Sequence, residues 1–320
     1  MSNTLVTVFG GTGFLGRHTV RALAKAGHRI RVAVRYPNQG FFLPPMGVVG
    51  QIALVKCNAS EPEQVEAAVR GADAVINLTG ILYQRGEQTF DAVHVEAAET
   101  IAKAAKAAGA RTLVHVSAIG ADKHADSSYA ASKGEGELRV REAFPSAAIL
   151  RPSLVFGPED DFFNRFAALA RILPALPLIG GGHTKFQPVF VGDVADAIVR
   201  CAGEPELGGK TYELGGPTVY TFKELMEIIL RETGRKRLLV PLPFALATLK
   251  ALFLQFMPKP LLTPDQVTLL KSDNVVTGAD TLATLGIVPT SVEAEVPAYL
   301  WRFRAKGQYE ELVRERVSEA

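Results

Sequence analysis

Residues 10–16 read Gly10-Gly11-Thr12-Gly13-Phe14-Leu15-Gly16, and this glycine-rich stretch decides the fold. It follows an apolar run from Leu5 to Phe9 and opens a helical pattern with Val20, Leu23 and Ala24 on one face. Glycines at i, i+3 and i+6 permit a tight turn and a close approach of the backbone to a pyrophosphate, which the first N–H groups of the helix would face. Because a strand precedes the glycines and a helix follows them, the stretch predicts a dinucleotide-binding turn rather than only a flexible loop.

Five further apolar runs follow, separated by helical patterns. They cover residues 29–34, 52–55, 73–78, 112–117 and 147–151. Strands that alternate with helices predict βαβ units and a parallel sheet covered on both faces. We therefore expect an α/β fold: a doubly wound parallel sheet (Rossmann) of six or seven strands, which holds a nucleotide beyond the carboxyl ends of its strands, and a smaller, mostly helical C-terminal lobe.

The predicted domains are a nucleotide-binding domain over residues 1–218 and a C-terminal lobe and tail over 219–320. Part of the smaller lobe is expected to be inserted near 160–185. The lobe begins with an amphipathic pattern from Thr221 to Glu232. The last twenty residues, 301–320, are charged with a helical pattern and predict a solvated or partner-facing tail.

Composition narrows the possible partners. The 320 residues carry a net charge of +2, which does not indicate nucleic acid as a partner. The two cysteines, Cys57 and Cys201, are far apart and the six histidines show no metal-ligand spacing, so we expect no metal and a reducing compartment. The first predicted strand begins within five residues of Met1. That leaves no room for a targeting peptide, so we expect a cytosolic or cytosol-facing protein.

The end of the second strand predicts which nucleotide binds. A site selective for NAD usually places Asp or Glu about 20 residues beyond the glycines, where it accepts hydrogen bonds from the ribose 2′-hydroxyl. Here that position is Arg35, and the first carboxylate in the chain is Glu61. Arg17 adds a second guanidinium directly after the glycines, and guanidinium groups attract a 2′-phosphate. We therefore predict NADP(H); the alternative is that both arginines are solvated surface charges.

Polar and small residues follow three other strands, and a Tyr–Lys pair follows the fifth. Asn58 is a candidate partner for the adenine or an ordinary loop asparagine. The next strands end at Thr79-Gly80 and at Ser117. Tyr129 and Lys133 are four residues apart and share a helix face. A lysine there can bind ribose hydroxyls and lower the tyrosine pKa for proton transfer.

In these features the chain resembles the extended or atypical short-chain dehydrogenase/reductases, over residues 3–235. The likeness includes Arg151-Pro152-Ser153, Phe156-Gly157-Pro158 and residues 189–194. It implies that the segment after strand six lies beside the nicotinamide. The predicted cofactor-binding residues are therefore Gly10, Thr12, Gly13, Phe14, Leu15, Gly16, Arg17, Arg35, Asn58, Thr79, Gly80, Ser117, Tyr129, Lys133, Pro152 and Ser153.

One position departs from the active members of that superfamily. They carry Ser or Thr two residues beyond the first serine at the end of strand five, and its hydroxyl holds the substrate carbonyl. Counted from Ser117, that position is Ile119, which can neither donate nor accept a hydrogen bond. A reductase would lose a hydrogen bond needed in its transition state. No catalytic residue is therefore assigned, and Tyr129 and Lys133 are vestigial or serve an alternative activity.

Several segments also resemble the nucleotide-binding accessory subunits of respiratory complex I, NADH:quinone oxidoreductase, which occur in mitochondria and some bacteria. They are residues 35–38, 47–51, 157–166, 185–189 and 261–275. This likeness implies a non-catalytic subunit that holds NADP(H) and stabilises the complex near its quinone site. With no presequence, we expect the bacterial form, peripheral at the cytoplasmic face of the inner membrane. The likeness does not specify the redox state of the bound nucleotide or the subunits that the protein contacts.

The alternative is an active NADP-dependent reductase, epimerase or dehydratase that acts through Tyr129 and Lys133 on a nucleotide-sugar, sterol-like or isoprenoid substrate. A nucleotide sensor without chemistry is a third possibility.

The segment 242–257 is unusually apolar. Prolines on both sides limit a helix there to about 16 residues, and Lys250 lies in its middle, so it does not span a bilayer. Apolar residues lie nearly all round it, which predicts burial in the core, against a partner or at a membrane surface.

Overall fold

The computed structural model describes residues 4–258, 260–305 and 307. Its strands are β1 (Leu5–Phe9), β2 (Arg29–Val34), β3 (Ile52–Lys56), β4 (Ala74–Asn77), β5 (Thr112–Val116), β6 (Ala148–Pro152), β7 (Val155–Phe156), β8 (Ala175–Ile179), β9 (Lys185–Phe186), β10 (Val189–Phe190), β11 (Thr211–Leu214), β12 (Tyr220–Thr221) and β13 (Leu238–Leu242). Its α-helices are α1 (Phe14–Lys25), α2 (Pro62–Val69), α3 (Ala97–Ala107), α4 (Ser128–Ala143), α5 (Phe163–Ile172), α6 (Val191–Gly203), α7 (Phe222–Glu232), α8 (Phe244–Leu254), α9 (Pro264–Leu269) and α10 (Val292–Leu300). A short 3-10 turn, Trp301–Phe303, begins the predicted tail, whose residues 306 and 308–320 lie outside the described residues.

Seven strands form one parallel sheet in the order β3-β2-β1-β4-β5-β6-β11. The predicted doubly wound α/β fold is confirmed, and six of its strands lie within two residues of the runs found in the sequence. Phe9 pairs with Ala33 of β2 and with Asn77 of β4, so the carboxyl ends of these three strands are level. This edge is where a Rossmann sheet holds its ligand.

Helices cover both faces of the sheet because adjacent strand residues point to opposite sides. On one face, Val75, Leu113 and Ile149 pack in a core with residues of α2, α3 and α4. On the other, α1 packs fully buried Val20 and Leu23 and contacts α6. Each such side chain contributes about 1.5–3 kcal/mol when it is fully buried.

The described residues group into two compact units. The first comprises the chain up to Ser153, Val191–Gly215 and Val276–Pro289, and the second comprises Leu154–Phe190, Gly216–Val275 and the chain from Thr290. Segment 276–289, which the sequence assigns to the C-terminal lobe, is held in the first unit by Glu213. That carboxylate accepts hydrogen bonds from the N–H groups of Thr277 and Gly278 at 2.7 and 2.8 Å.

The second unit has a core of aromatic rings and one buried carboxylate. Its phenylalanines pack mostly edge to face and include Phe156, Phe162, Phe163, Phe166 and Phe222. Asp160 accepts hydrogen bonds from the Tyr299 hydroxyl at 2.7 Å and from the N–H groups of Gly157 and Asn164. Burial raises the pKa of the Asp160 carboxyl. The segment 157–166 therefore anchors α10, which carries Tyr299.

Helix α8 buries only its small side chains. Ala247 and Ala251 pack with Ile179 and Val267. Four of its large apolar side chains, Leu246, Leu249, Leu252 and Phe253, are exposed. In the described part of the chain, no helix is long and apolar enough to cross a membrane.

The hydrogen bond between the Tyr299 hydroxyl and the Asp160 carboxylate, here called the clasp, gives a first prediction. Tyr299→Phe leaves a buried carboxylate without one of its donors, so the free energy of unfolding should fall by about 1–3 kcal/mol. Urea denaturation measures this. The matched control is Tyr220→Phe, whose hydroxyl bonds Glu293 at an exposed position and should cost under about 1 kcal/mol. Equal losses in both variants would contradict a special role for the clasp.

Candidate functional site

The glycine turn leaves no room for side chains where α1 meets the end of β1. Gly10 has a φ of +78°, and a Cβ atom there would lie 2.8 Å from the carbonyl carbon of Leu78. A Cβ atom on Gly16 would overlap the carbonyl oxygen of Gly10. Gly13 is the N-cap of α1 and offers no side chain to its free N–H groups. The turn, which also carries Thr12, Phe14 and Leu15, therefore leaves the first N–H groups of α1 open to an anionic ligand.

Two arginines stand at the predicted 2′-phosphate position. Arg17 lies in the first turn of α1, and its guanidinium carbon is 4.8 Å from the centroid of the Phe42 ring. Arg35 is exposed directly after β2. Because β2 is the neighbour of β1, the structure places Arg35 at the carboxyl edge beside the glycine turn. The chemistry of this pair fits a 2′-phosphate.

Lys133 is the buried cation of the site. Its side chain comes from α4, is 4% exposed, and donates to the carbonyl oxygen of Val116 at 3.2 Å. Gly80 leaves space for it, since a Cβ atom there would lie 3.3 Å from Nζ. Burial lowers the pKa of Lys133 to about 8, while the Glu137 carboxylate opposes that shift. Tyr129, half-buried on the same helix, packs edge to face against His94.

A hydrogen-bond chain at the ends of β4 and β5 determines one histidine tautomer. The Oδ1 atom of Asn77 accepts from the N–H and hydroxyl of Thr79, at 3.0 and 2.6 Å. The Asn77 amide nitrogen therefore donates to Nδ1 of His115, 3.1 Å away, and His115 carries its proton on Nε2. That Nε2 and the Ser117 hydroxyl are buried without a hydrogen-bond partner among the described residues. Such orphaned polar atoms fit a site for a polar ligand.

His94 is a site residue that the sequence did not reveal. Its Nε2 accepts from the N–H of Ile81 at 3.0 Å, and its Nδ1 lies 2.9 Å from the Ser132 hydroxyl. A regular helical period through Phe90, Ala97 and Ile101 would make Val93 the buried residue, but residues 91–96 form a π-helical turn before α3. The wider turn rotates the next residue inward, and only a break in the 3.6 period could have signalled it.

Burial keeps both histidines of the site neutral. It lowers the pKa of His94 and of His115 to about 3, and the nearby Lys133 ammonium adds to both shifts. Neutral rings accept as well as donate hydrogen bonds, as the Ile81 and Asn77 contacts require.

The remaining predicted residues lie at the same edge. The side-chain Oδ1 of Asn58 accepts from the N–H of Ser60 at 3.3 Å and closes its own turn. Pro152 ends β6, and Ser153 donates its N–H to Leu214. The N–H of Ile119 donates to the carbonyl oxygen of Pro152 at 3.1 Å, so the backbone at Ile119 lies beside the end of β6.

The arrangement has the shape and polar groups to bind a dinucleotide. It also supplies the proton-transfer pair of a reductase site but lacks the group that holds the substrate carbonyl. The glycine cradle and the orphaned polar atoms fit a nicotinamide dinucleotide, and Tyr129 with Lys133 could move a proton. No hydroxyl stands at position 119 to hold a carbonyl. Among the described residues, no group of three or more His, Cys, Asp or Glu side chains could hold a metal ion.

Comparisons with known proteins agree with this geometry. The model of the NAD dependent epimerase/dehydratase family matches residues 6–215. Subunit 9 of the NADH dehydrogenase [ubiquinone] 1 alpha subcomplex, mitochondrial, from Arabidopsis thaliana is 37% identical over 96% of this chain and 80% of that protein. The ceramide reductase of Caulobacter vibrioides is 35% identical over 75% of this chain and 74% of that protein. An NADPH-dependent quinone oxidoreductase from Escherichia coli, crystallised with NADPH, has a TM-score of 0.74 at 21% identity and covers 92% of this chain and 99% of that one.

The buried histidines predict a dependence of stability on pH. Their pKa is about 3 in the folded protein and about 6.5 in the unfolded chain. Between these values the unfolded chain binds more protons, so the free energy of unfolding decreases as the pH is lowered, by about 1.4 kcal/mol per pH unit for each histidine.

Urea denaturation between pH 6.5 and 4.5 measures this slope. His94→Gln and His115→Gln should each reduce this slope by the equivalent of about one bound proton, which is about 1.4 kcal/mol per pH unit. The control is His124→Gln at an exposed position, which should keep the wild-type slope. A wild-type slope in both buried variants would show that these imidazoles are not the cause.

Proposed function

The chain belongs to the NAD dependent epimerase/dehydratase family, and within that family we propose that it is an accessory subunit of respiratory complex I. In this proposal it holds NADP(H) and stabilises the complex near its quinone site without turnover of its own. The likeness to subunit 9 of the mitochondrial NADH dehydrogenase supports the partner assignment, since it extends over 96% of this chain. A fold with an NAD(P)-binding turn supports a resident nucleotide.

The residues of the site would divide the nucleotide between them. The glycine turn and the start of α1 would hold the pyrophosphate, and Arg17 and Arg35 the 2′-phosphate. Lys133 would donate to the ribose hydroxyls beside the nicotinamide, where Ser117 offers a further hydroxyl. When bound, NADPH supplies a hydride donor; the protein's part is to bind it and shield it.

Ile119 is the single observation that carries the non-catalytic assignment. Its backbone N–H is engaged by Pro152, and its side chain is a hydrocarbon at the position where the active enzymes hold the carbonyl. A developing oxyanion there would lose one hydrogen-bond donor, which typically costs a factor of about 10²–10³ in rate. The Tyr129–Lys133 pair then serves the nucleotide alone.

Peripheral membrane contact near 242–257 belongs to the same proposal. Between Glu232 and Asp265 the chain has no carboxylate and carries the cations Arg235, Lys236, Arg237, Lys250 and Lys259. The exposed apolar side chains of α8 lie in this cationic segment. Apolar and cationic groups together favour an anionic lipid surface. We propose a peripheral position at the cytoplasmic face of a bacterial inner membrane, beside the complex.

A second candidate is an active NADP-dependent reductase that uses Tyr129 as proton donor and Lys133 as its electrostatic partner. The likeness to a ceramide reductase favours it. Oxidation of NADPH by a long-chain ketone, abolished in Tyr129→Phe, would establish this activity and overturn the first candidate.

Membranes of the source organism test the accessory role. A tagged copy of the chain should co-migrate with NADH:quinone oxidoreductase activity in native gels, and the isolated complex should release NADP(H) in a 1:1 ratio to the chain. Deletion of the gene should lower the amount of assembled complex. A tagged protein that never co-migrates with that activity would refute the assignment.

Lys133 predicts the pH dependence of nucleotide binding. Its pKa of about 8 in the free site means that the ammonium loses its proton above that pH, and with it part of its attraction for an anionic ligand. The dissociation constant for NADPH should rise between pH 8 and 9.5, by up to about tenfold per pH unit. Fluorescence titration measures it.

Lys133→Met should bind NADPH at least about tenfold more weakly with no pH dependence in this range. Lys123→Met is the matched control, because Lys123 is exposed, and it should titrate like the wild type. Identical pH profiles for wild type and Lys133→Met would assign the dependence to another group.

A further inference from the structure

The loop after β4 runs across the nucleotide edge of the sheet. Residues 81–90, here called the strap, connect β4 to the π-helical turn before α3. In the sheet, β1 lies between β4 and β2. Adjacent strands are about 4.8 Å apart, so a loop that starts on β4 must cross about 10 Å, over the glycine turn, to reach the end of β2.

Three hydrogen-bonded ties give the strap a defined shape. At its base, the N–H of Ile81 donates to Nε2 of His94 at 3.0 Å. In its middle, the N–H of Phe90 donates to the side-chain oxygen of Gln84 at 3.0 Å. At its tip, the backbones of Arg85 and Gln88 exchange two hydrogen bonds of 3.0 and 3.1 Å. The strap is therefore a short hairpin and not an open loop.

The tip of the strap reaches Arg35. With its amide oxygen oriented toward the guanidinium, Gln88 accepts hydrogen bonds from both Nη1 and Nη2 of Arg35. The opposite orientation would place two donors face to face, so the network assigns the amide. One side chain from the β4 loop thus holds the guanidinium that follows β2.

We propose that Gln88 is a specificity-determining residue and that its bond to Arg35 closes the strap over the nucleotide. The proposal rests on the proposed binding of NADP(H). Gln88 fixes the direction of the Arg35 guanidinium, whose remaining N–H groups stay available to the 2′-phosphate. The closed strap slows release of the nucleotide, as a subunit that keeps its cofactor requires.

Two measurements on the purified full-length chain test this: the dissociation constants for NADPH and NADH, and the rate at which excess NADP+ displaces bound NADPH. Gln88→Leu should release NADPH at least about tenfold faster and lower the preference for NADPH over NADH by a similar factor. Gln88→Asn, which is one methylene too short, should act in the same direction. Gln88→Glu should shift the preference toward NADH, because its carboxylate repels the 2′-phosphate.

The control is Glu87→Ala, an exposed residue of the same tip, which should keep both wild-type values. If Arg35→Leu loses the preference but Gln88→Leu and Gln88→Asn keep it and the wild-type release rate, Arg35 acts alone and the proposal is overturned. Wild-type protein that binds NADH as tightly as NADPH would instead refute the cofactor assignment, and the role of Gln88 with it.

Discussion

The backbone contact between the end of β1 and the first turn of α1 is the constraint on which the rest of the site depends. A side chain on Gly16 would overlap the carbonyl oxygen of Gly10, and one on Gly10 would strike the backbone after β4. With both absent, the helix begins directly above the strand and presents its N–H groups at the carboxyl edge. The ends of β2 and β4 are level with this point, so their loops bring Arg35 and Gly80 to the same edge.

The electrostatics of the site depend on three buried ionisable side chains, Lys133, His94 and His115. The Lys133 ammonium is buried beside two histidines, and burial disfavours charge on all three groups. Both imidazoles stay neutral, and each has a tautomer chosen by its backbone or amide partner. The Nε2 atom of His115 and the hydroxyl of Ser117 are then left buried without a hydrogen-bond partner among the described residues. In the proposed function a bound nucleotide would satisfy such groups, which would couple the stability of this unit to its ligand.

The proposed function accounts for two features of the protein, the exposed apolar side chains of α8 and the hydrocarbon at Ile119. Large exposed apolar groups are costly for a protein in water unless another surface covers them. A reductase site without its hydroxyl is costly for catalysis but harmless to binding. In that proposal the nucleotide stabilises the subunit, and the subunit binds its partner subunits and the membrane surface.

Local sequence patterns determined the parallel sheet, the positions of its first six strands along the chain, the glycine turn and the Tyr129–Lys133 face, because each depends on residues close together in the chain. They missed β11, a strand of four residues, and the inward position of His94, which a π-helical turn displaces from the helical period. They also could not show that six large residues of 242–257, from Leu246 to Met257, are exposed, since periodicity reports a face but not what covers it. Only the tertiary structure paired Asn77 with His115 and Gln88 with Arg35: these contacts join residues from different strands and loops, and such neighbours are set by the packing of the sheet rather than by spacing along the chain.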